Sequence, residues 1–349
     1  NKEYLITAAI GGGSSYHSNG NNSTVINISG GDVYAQSVYG VAIGGGGSST
    51  KAGGSCEINI SGGNITAIST SGILNGVNVE AGTSMGGGTG STSGGNAKLN
   101  ISGEDTVVMT GSIGGGKATK TGGTIGNAEV FIEDGFLQGQ IVMAAGANKD
   151  CSFEMVGGTI NNSKKHEALN NGKTFTFIED NGGAVYVENG IAEMSGGKII
   201  GVATNLNKST GLDADKGGAF YVNGGSLLMN DGTIEGCRAN NGGAIYIEGG
   251  SCLMKNGEIK DNEAVENGGA VYVAKGTATM TGGTIQNCTS NGDGGAIYVT
   301  GGDFTLSGTG KITNTSAAND GGAVYVNTGN VIIEGGIIEN TEAKYGGSV

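Results

Sequence analysis

The chain has no proline, no tryptophan, one arginine (Arg238) and two histidines in 349 residues. Each shortage excludes something. Collagen needs abundant proline on a strict three-residue glycine period, so the 75 glycines need another explanation. Central strands that donate backbone hydrogen bonds on both sides exclude proline, and its absence fits a fold made of them. One arginine and a net charge of −13 leave no basic stripe to neutralise nucleic-acid phosphates. The same charge opposes adsorption to anionic membranes, and no apolar run reaches the 18 residues that a spanning helix needs. His17 and His166 fall in polar loops and read as solvated residues, not ligands or bases.

The five cysteines (Cys56, Cys151, Cys237, Cys252, Cys288) are never closer than 15 positions and form no CxxC or zinc spacing. They read as small buried hydrophobes. Disorder is excluded as well, because 36% of residues are hydrophobic and lie in short β-branched clusters. What remains is a β-rich fold with many sharp corners, where glycine takes backbone angles that other residues resist.

A repeat dominates the sequence. GGAVYV at 182–187 recurs as GGAFYV (217–222), GGAIYI (242–247), GGAVYV (268–273), GGAIYV (294–299) and GGAVYV (321–326), at spacings of 35, 25, 26, 26 and 27. A second apolar run follows in each unit, as in Leu227-Leu228-Met229 and Cys252-Leu253-Met254, and a third after a glycine, as in Glu258-Ile259 and Thr284-Ile285. Three short strands per unit with no helical period describe one turn of a right-handed parallel β-helix. Such a unit cannot bury its own apolar face and must stack on its neighbours. Alternation then points Val185 and Val187 inward and Tyr186 outward, and puts Cys252, Met254, Ala278 and Met280 inside.

A looser dialect fills the N-terminal half: Ile26-Asn27-Ile28, Ile58-Asn59-Ile60, Leu99-Asn100-Ile101 and Val130-Phe131-Ile132, with Gly-Gly-Gly after Ile10, Ile43, Met85 and Ile113. The expected organisation is irregular coils over 1–160, a junction or excursion at 161–180, and regular coils over 181–349, as one continuous solenoid of about 11–12 coils. At one strand spacing per coil this predicts a rod on the order of 55 Å. The final unit stops four residues in, so the chain is expected to be a piece of a larger protein with flanking domains.

At these residues the chain resembles pectate-lyase-like β-helix surface proteins, and among them the polymorphic outer-membrane adhesins and autotransporter passengers with Gly-Gly-Ala-Ile repeats. Ile245 and Ile297 sit in full copies of that motif, and Val185, Val271 and Val324 in near copies. The family's phenylalanine three residues before an asparagine is missing; its place reads Ile259-Lys260-Asp261-Asn262. The Ile-Gly-Gly-Gly coils are similar to repeats in secreted proteins of anaerobic gut bacteria. The resemblance implies an extracellular or cell-surface bacterial protein with an adhesive or display role, engaging a host glycan or a partner protein.

Candidate chemistry follows the columns. Tyr186, Tyr221, Tyr246, Tyr272, Tyr298 and Tyr325 recur at one place in successive coils, giving an outward ladder able to meet sugar faces or a protein, or simply to stabilise the sheet. The residues before each Gly-Gly (Asn181, Lys216, Asn241, Asn267, Asp293, Asp320) suit corners. Calcium is the cofactor to consider where acids gather, at Asp213 and Asp215 or at Asp293 and Asp320, although no EF-hand or calcium nonapeptide is present.

No catalytic residue stands out. No strand presents two carboxylates at neighbouring outer positions, the arrangement that glycoside hydrolysis needs. The matches to a nucleophile elbow at Gly82-Thr83-Ser84-Met85-Gly86 and to a phosphate loop at Gly172-Lys173-Thr174 lack their structural context. Loops at 14–24, 70–97, 161–180 and 204–216 are further places for binding. The alternatives to a binding scaffold are a polysaccharide lyase or glycoside hydrolase of the same fold, and a ligand-free spacer.

Overall fold

The computed structural model describes residues 8–15, 18–20, 23–70, 72–74, 77–79, 83–144, 151–161, 182–201 and 214–348, with backbone alone at 72–74, 77–79 and 214–215. The expected junction beyond residue 161, and His17, His166, Asn181 and Asp213, lie outside them. Every regular element among the described residues is a β-strand, and every coil-to-coil pairing is parallel. The chain is a parallel β-helix. It divides into two compact units, Asn1–Glu154 and Met155–Val349.

In the first unit Thr24–Val38 lies on Cys56–Thr70, which lies on Ala97–Ile101 and Val107–Gly114. Ala97–Ile101 in turn pairs with Ala128–Ile132, and Val107–Gly114 with Phe136–Met143. Register puts Ile58, Leu99 and Val130 in one column and Ile60, Ile101 and Ile132 in the next, all buried. Between these inward columns runs an outward one: the Asn59 amide donates to Asn27 at 2.9 Å and Asn100 donates to Asn59 at 2.6 Å. These asparagines each open an Asn-x-Ser sequence, and stacking the amides explains the recurrence without any glycan.

Successive coils of this unit also carry glycine-rich excursions, at 44–55, 86–96 and 114–127, that stack on one another. The outgoing glycines and the returning ones lie in two columns joined by a staircase of backbone hydrogen bonds. Gly54 N–H donates to Gly46 O (2.7 Å), Gly88 to Gly54 (2.9 Å), Gly95 to Gly88 (2.9 Å), Gly116 to Gly95 (2.8 Å) and Gly126 to Gly116 (3.0 Å). Here the backbone itself fills the space that side chains fill elsewhere. A methyl group on Gly88 would sit 2.1 Å from Gly46 O, and one on Gly95 1.9 Å from Gly54 O.

In the second unit the Tyr-bearing strands Phe220–Val222, Ile245–Ile247, Val271–Val273, Ile297–Leu306 and Val324–Ile333 pair in sequence without slippage at the Tyr position. Val187, Val222, Ile247, Val273 and Val299 form one fully buried column. Met194, Met229, Met254 and Met280 form a second with Leu306, and Ile199, Ile234, Ile259, Ile285 and Ile312 a third. Cys252, Met254, Ala278 and Met280 are buried, as the alternation predicts, and all five cysteines are free and buried.

Three strands per coil are joined by a fourth, shorter ladder: Ala214–Lys216, Arg238–Asn241, Glu263–Asn267, Thr289–Ser290, Ser316–Asp320 and Glu342–Tyr345. Its inward residues are the small Ala239, Ala264, Ser290 and Ala317, so no large apolar residue announces it. One corner takes the left-handed region in five successive coils: Gly236, Asp261, Asn287, Asn314 and Asn340 have φ of 63°, 55°, 54°, 53° and 53°. Glycine, asparagine and aspartate are the residues that tolerate it.

Candidate functional site

The six tyrosines stand on one line in successive coils, on the strand face opposite the buried valine and isoleucine columns. Their rings stack face to face, with centroids 5.2, 5.7, 4.7, 4.9 and 5.3 Å apart from Tyr186 to Tyr325. Outward direction does not mean open rings. Tyr221, Tyr246 and Tyr298 are only 7%, 6% and 8% exposed, while Tyr186, Tyr272 and Tyr325 are half-buried. Each inner ring is sandwiched by its neighbours, so the expected stacking of a sugar on ring faces is blocked along the ladder. Edges and hydroxyls remain.

Those hydroxyls face a second column two residues on: Asn223 beside Tyr186, the Glu248 carboxylate beside Tyr246, and Thr300 beside Tyr272 and Tyr298. Burial raises the phenol of every tyrosine from Tyr186 to Tyr298, to about 12 at Tyr221 and Tyr272. Neighbouring negative charge, chiefly Glu248 beside Tyr221 and Tyr246, adds to the effect. These are neutral hydrogen-bonding groups at any physiological pH.

One place on this line breaks the pattern. Lys216 replaces the Asn or Asp of other coils, and its amine lies 4.7 Å from the Tyr246 ring centroid and 6.0 Å from that of Tyr221. It reaches the Glu248 carboxylate at 3.0 Å, which Lys275 approaches from the other side at 3.5 Å. The Lys216 hydrogen bond holds the Glu248 carboxyl below the usual carboxylate range, against the effect of burial. A polar cluster of Lys216, Tyr246, Glu248 and Lys275 therefore sits on the ladder. The column substitution at Lys216 was its sequence signal; Glu248 and Lys275 had none.

Asp293 and Asp320 are part of a corner column. Asn267 Oδ1 accepts the Asp293 N–H at 2.9 Å, and Asp293 Oδ1 accepts the Asp320 N–H at 3.1 Å. For Asp215 only the backbone is described, in Ala214–Lys216. Among the described residues no group of three or more His, Cys, Asp or Glu is arranged to hold a metal ion.

The expectation about carboxylates concerned single strands; across coils, two of them do come side by side. Register pairs Thr233 with Glu258 and Glu235 with Lys260, which places Glu235 and Glu258 diagonally on adjacent coils. The Lys260 amine joins them, 2.7 Å from Glu258 and 3.9 Å from Glu235. Reading along each strand missed them because the pair forms across coils. Arg238 is likewise engaged, with Nε 3.4 Å from Glu263.

Comparison with known protein families, curated proteins and solved structures finds no match. The function is therefore argued from the geometry of this chain.

Proposed function

We propose that the chain is an extracellular bacterial, adhesin-like scaffold that binds a glycan or a partner protein along the tyrosine line and the loops beside it. The observation that carries this reading is the line itself: one aromatic side chain repeated in register, on the outside, over six successive coils. A rigid stack presents such a row at little entropic cost. Because the ring faces cover one another, the ligand meets hydroxyls and edges, supplemented by Asn223, Glu248, Thr300 and Asn327. The half-buried Tyr186, Tyr272 and Tyr325 offer the most accessible edges.

The test is a glycan array read with the wild-type chain and with the triple variant Tyr186→Phe/Tyr272→Phe/Tyr325→Phe. The variant keeps the stack and removes three hydroxyls. At about 1 kcal/mol per hydrogen bond, affinity should fall on the order of a hundredfold. Glycan binding that is unchanged in the triple variant refutes the tyrosine line as the contact surface.

A polysaccharide-cleaving enzyme is the second reading, favoured by the Glu235–Lys260–Glu258 arrangement. Reducing ends released from an acidic polysaccharide, and lost in Glu258→Gln, would establish it in place of the first.

A further inference from the structure

We infer that Ala274 opens a notch in the tyrosine line, and that the notch takes a single pyranose residue of a neutral glycan. This deepens the reading above and rests on it, but it names one place on the line and one kind of ligand.

The column two residues after the tyrosines reads Glu188, Asn223, Glu248, Ala274, Thr300 and Asn327. Five of the six carry polar atoms beyond Cβ, and Ala274 carries only a methyl. The exposure of the rings follows this column. Tyr186 and Tyr325 end the line and have one ring neighbour each in it. Of the four inner tyrosines, Tyr221, Tyr246 and Tyr298 are buried, whereas Tyr272 is half-exposed. Register keeps Tyr272 between Tyr246 and Tyr298, with centroids 4.7 and 4.9 Å away, so a slipped strand does not explain its opening. The missing side chain at Ala274 does.

The walls of the notch decide what it holds. Glu248 and Thr300 lie on the coils before and after Ala274, about 10 Å apart at two strand spacings. One pyranose ring, with a hydrogen bond of about 2.8 Å at each end, fills that gap. A carboxylate has about four acceptor positions. Lys216 at 3.0 Å, Lys275 at 3.5 Å and the Tyr246 hydroxyl occupy three of those of Glu248, which leaves one for a sugar hydroxyl. The Tyr272 hydroxyl faces Thr300 on the other side, and the Ala274 methyl supplies an apolar floor. The acids around the notch, Glu248 and Asp293, are matched in number by Lys216 and Lys275, which favours a neutral sugar over a uronic acid or an amine. A peptide strand matches poorly. It would bind by adding to a free sheet edge, and the strand of Tyr272 is already paired on both sides.

The probes are the methyl glycosides of glucose, galactose and mannose, with methyl glucuronide as the charged counterpart, each in millimolar excess over the full chain. Hydroxyl-radical footprinting read by mass spectrometry reports each tyrosine separately. Without sugar, Tyr272 should be oxidised severalfold faster than Tyr246 or Tyr298. At least one neutral glycoside should protect Tyr272, and the glucuronide should not. Ala274→Asn gives this coil the side chain that its column already carries at Asn223 and Asn327. It should slow Tyr272 oxidation and lower sugar affinity about tenfold, the effect of roughly one lost hydrogen bond. Thr277→Asn, exposed on a different strand, should bind like the wild type; circular dichroism checks the folding of both. Tyr272 oxidised no faster than Tyr246, no protection by any neutral glycoside, equal protection by the glucuronide, or unchanged affinity in Ala274→Asn would overturn the inference. Protection confined to Tyr186 and Tyr325 would overturn the notch and leave the tyrosine line standing, so the two readings fail separately.

Discussion

Gly88→Ala is the sharpest test of the glycine staircase. Its added carbon would lie 2.1 Å from Gly46 O and 2.6 Å from Gly46 C, both backbone atoms that no rotamer change can move. Relief requires the coils to part by about an ångström, which lengthens the Gly88–Gly54 and Gly45–Gly86 hydrogen bonds, each 2.9 Å. Overpacking of this kind costs about 1–3 kcal/mol, and weakening two buried backbone bonds adds about 1 kcal/mol each. The expected destabilisation is therefore about 3–5 kcal/mol. Gly30→Ala is the control, because a methyl there meets nothing within 4 Å and its φ is outside the left-handed range. It should be neutral or stabilising by up to about 1 kcal/mol through the unfolded chain. Urea unfolding followed by circular dichroism reads both, provided the m-values agree. A Gly88→Ala midpoint within about 0.5 kcal/mol of wild type, or an equal loss in Gly30→Ala, refutes the argument that backbone packing selects these glycines.

Two further substitutions probe the second unit. Asn287 holds φ at 54° and donates its amide to Asp261 at 3.0 Å; Asn287→Ala should cost about 1–2 kcal/mol while Asn287→Gly stays near neutral. Equal losses in urea unfolding would show that φ is not the constraint. Glu248 has its folded pKa depressed by the Lys216 hydrogen bond, so its contribution is complete above the ordinary carboxylate value near 4.3. That contribution disappears as pH falls through the depressed folded value. The acid limb of the stability profile should be shallower in Glu248→Gln, and superimposable limbs would refute the ion-pair account.

The coil was legible because large apolar residues mark it. Val, Met and Ile recur at fixed phase, and the spacing of GGAxYV alone predicts which residues share a column. The fourth ladder was not legible, since Ala239, Ala264, Ser290 and Ala317 are too small to show a period. Nor was the exposure of the tyrosines. Alternation gives the direction of a side chain, but stacking at about 5 Å covers both faces of each ring, a three-dimensional effect absent from any one strand. Glu235 and Glu258 were missed for a related reason: they neighbour each other only after coils of unequal length are set in register.

A stack of coils makes ordinary candidates for chemistry into structural repeats. Asp293 bridges to the next corner, Asn59 joins an amide ladder, and Glu57, Glu235, Glu248 and Glu339 pair with lysines one coil away. A residue type that recurs in its column is accounted for by the neighbour above and below. What the columns do not require is a residue that departs from them. Lys216 stands where other coils have Asn or Asp, and it draws Glu248 and Lys275 onto the tyrosine line. Removing such residues should leave the fold intact and alter what it holds, whereas removing a column member should do the reverse. That division, more than any single side chain, is what the Glu248 and Gly88 variants together put to the test.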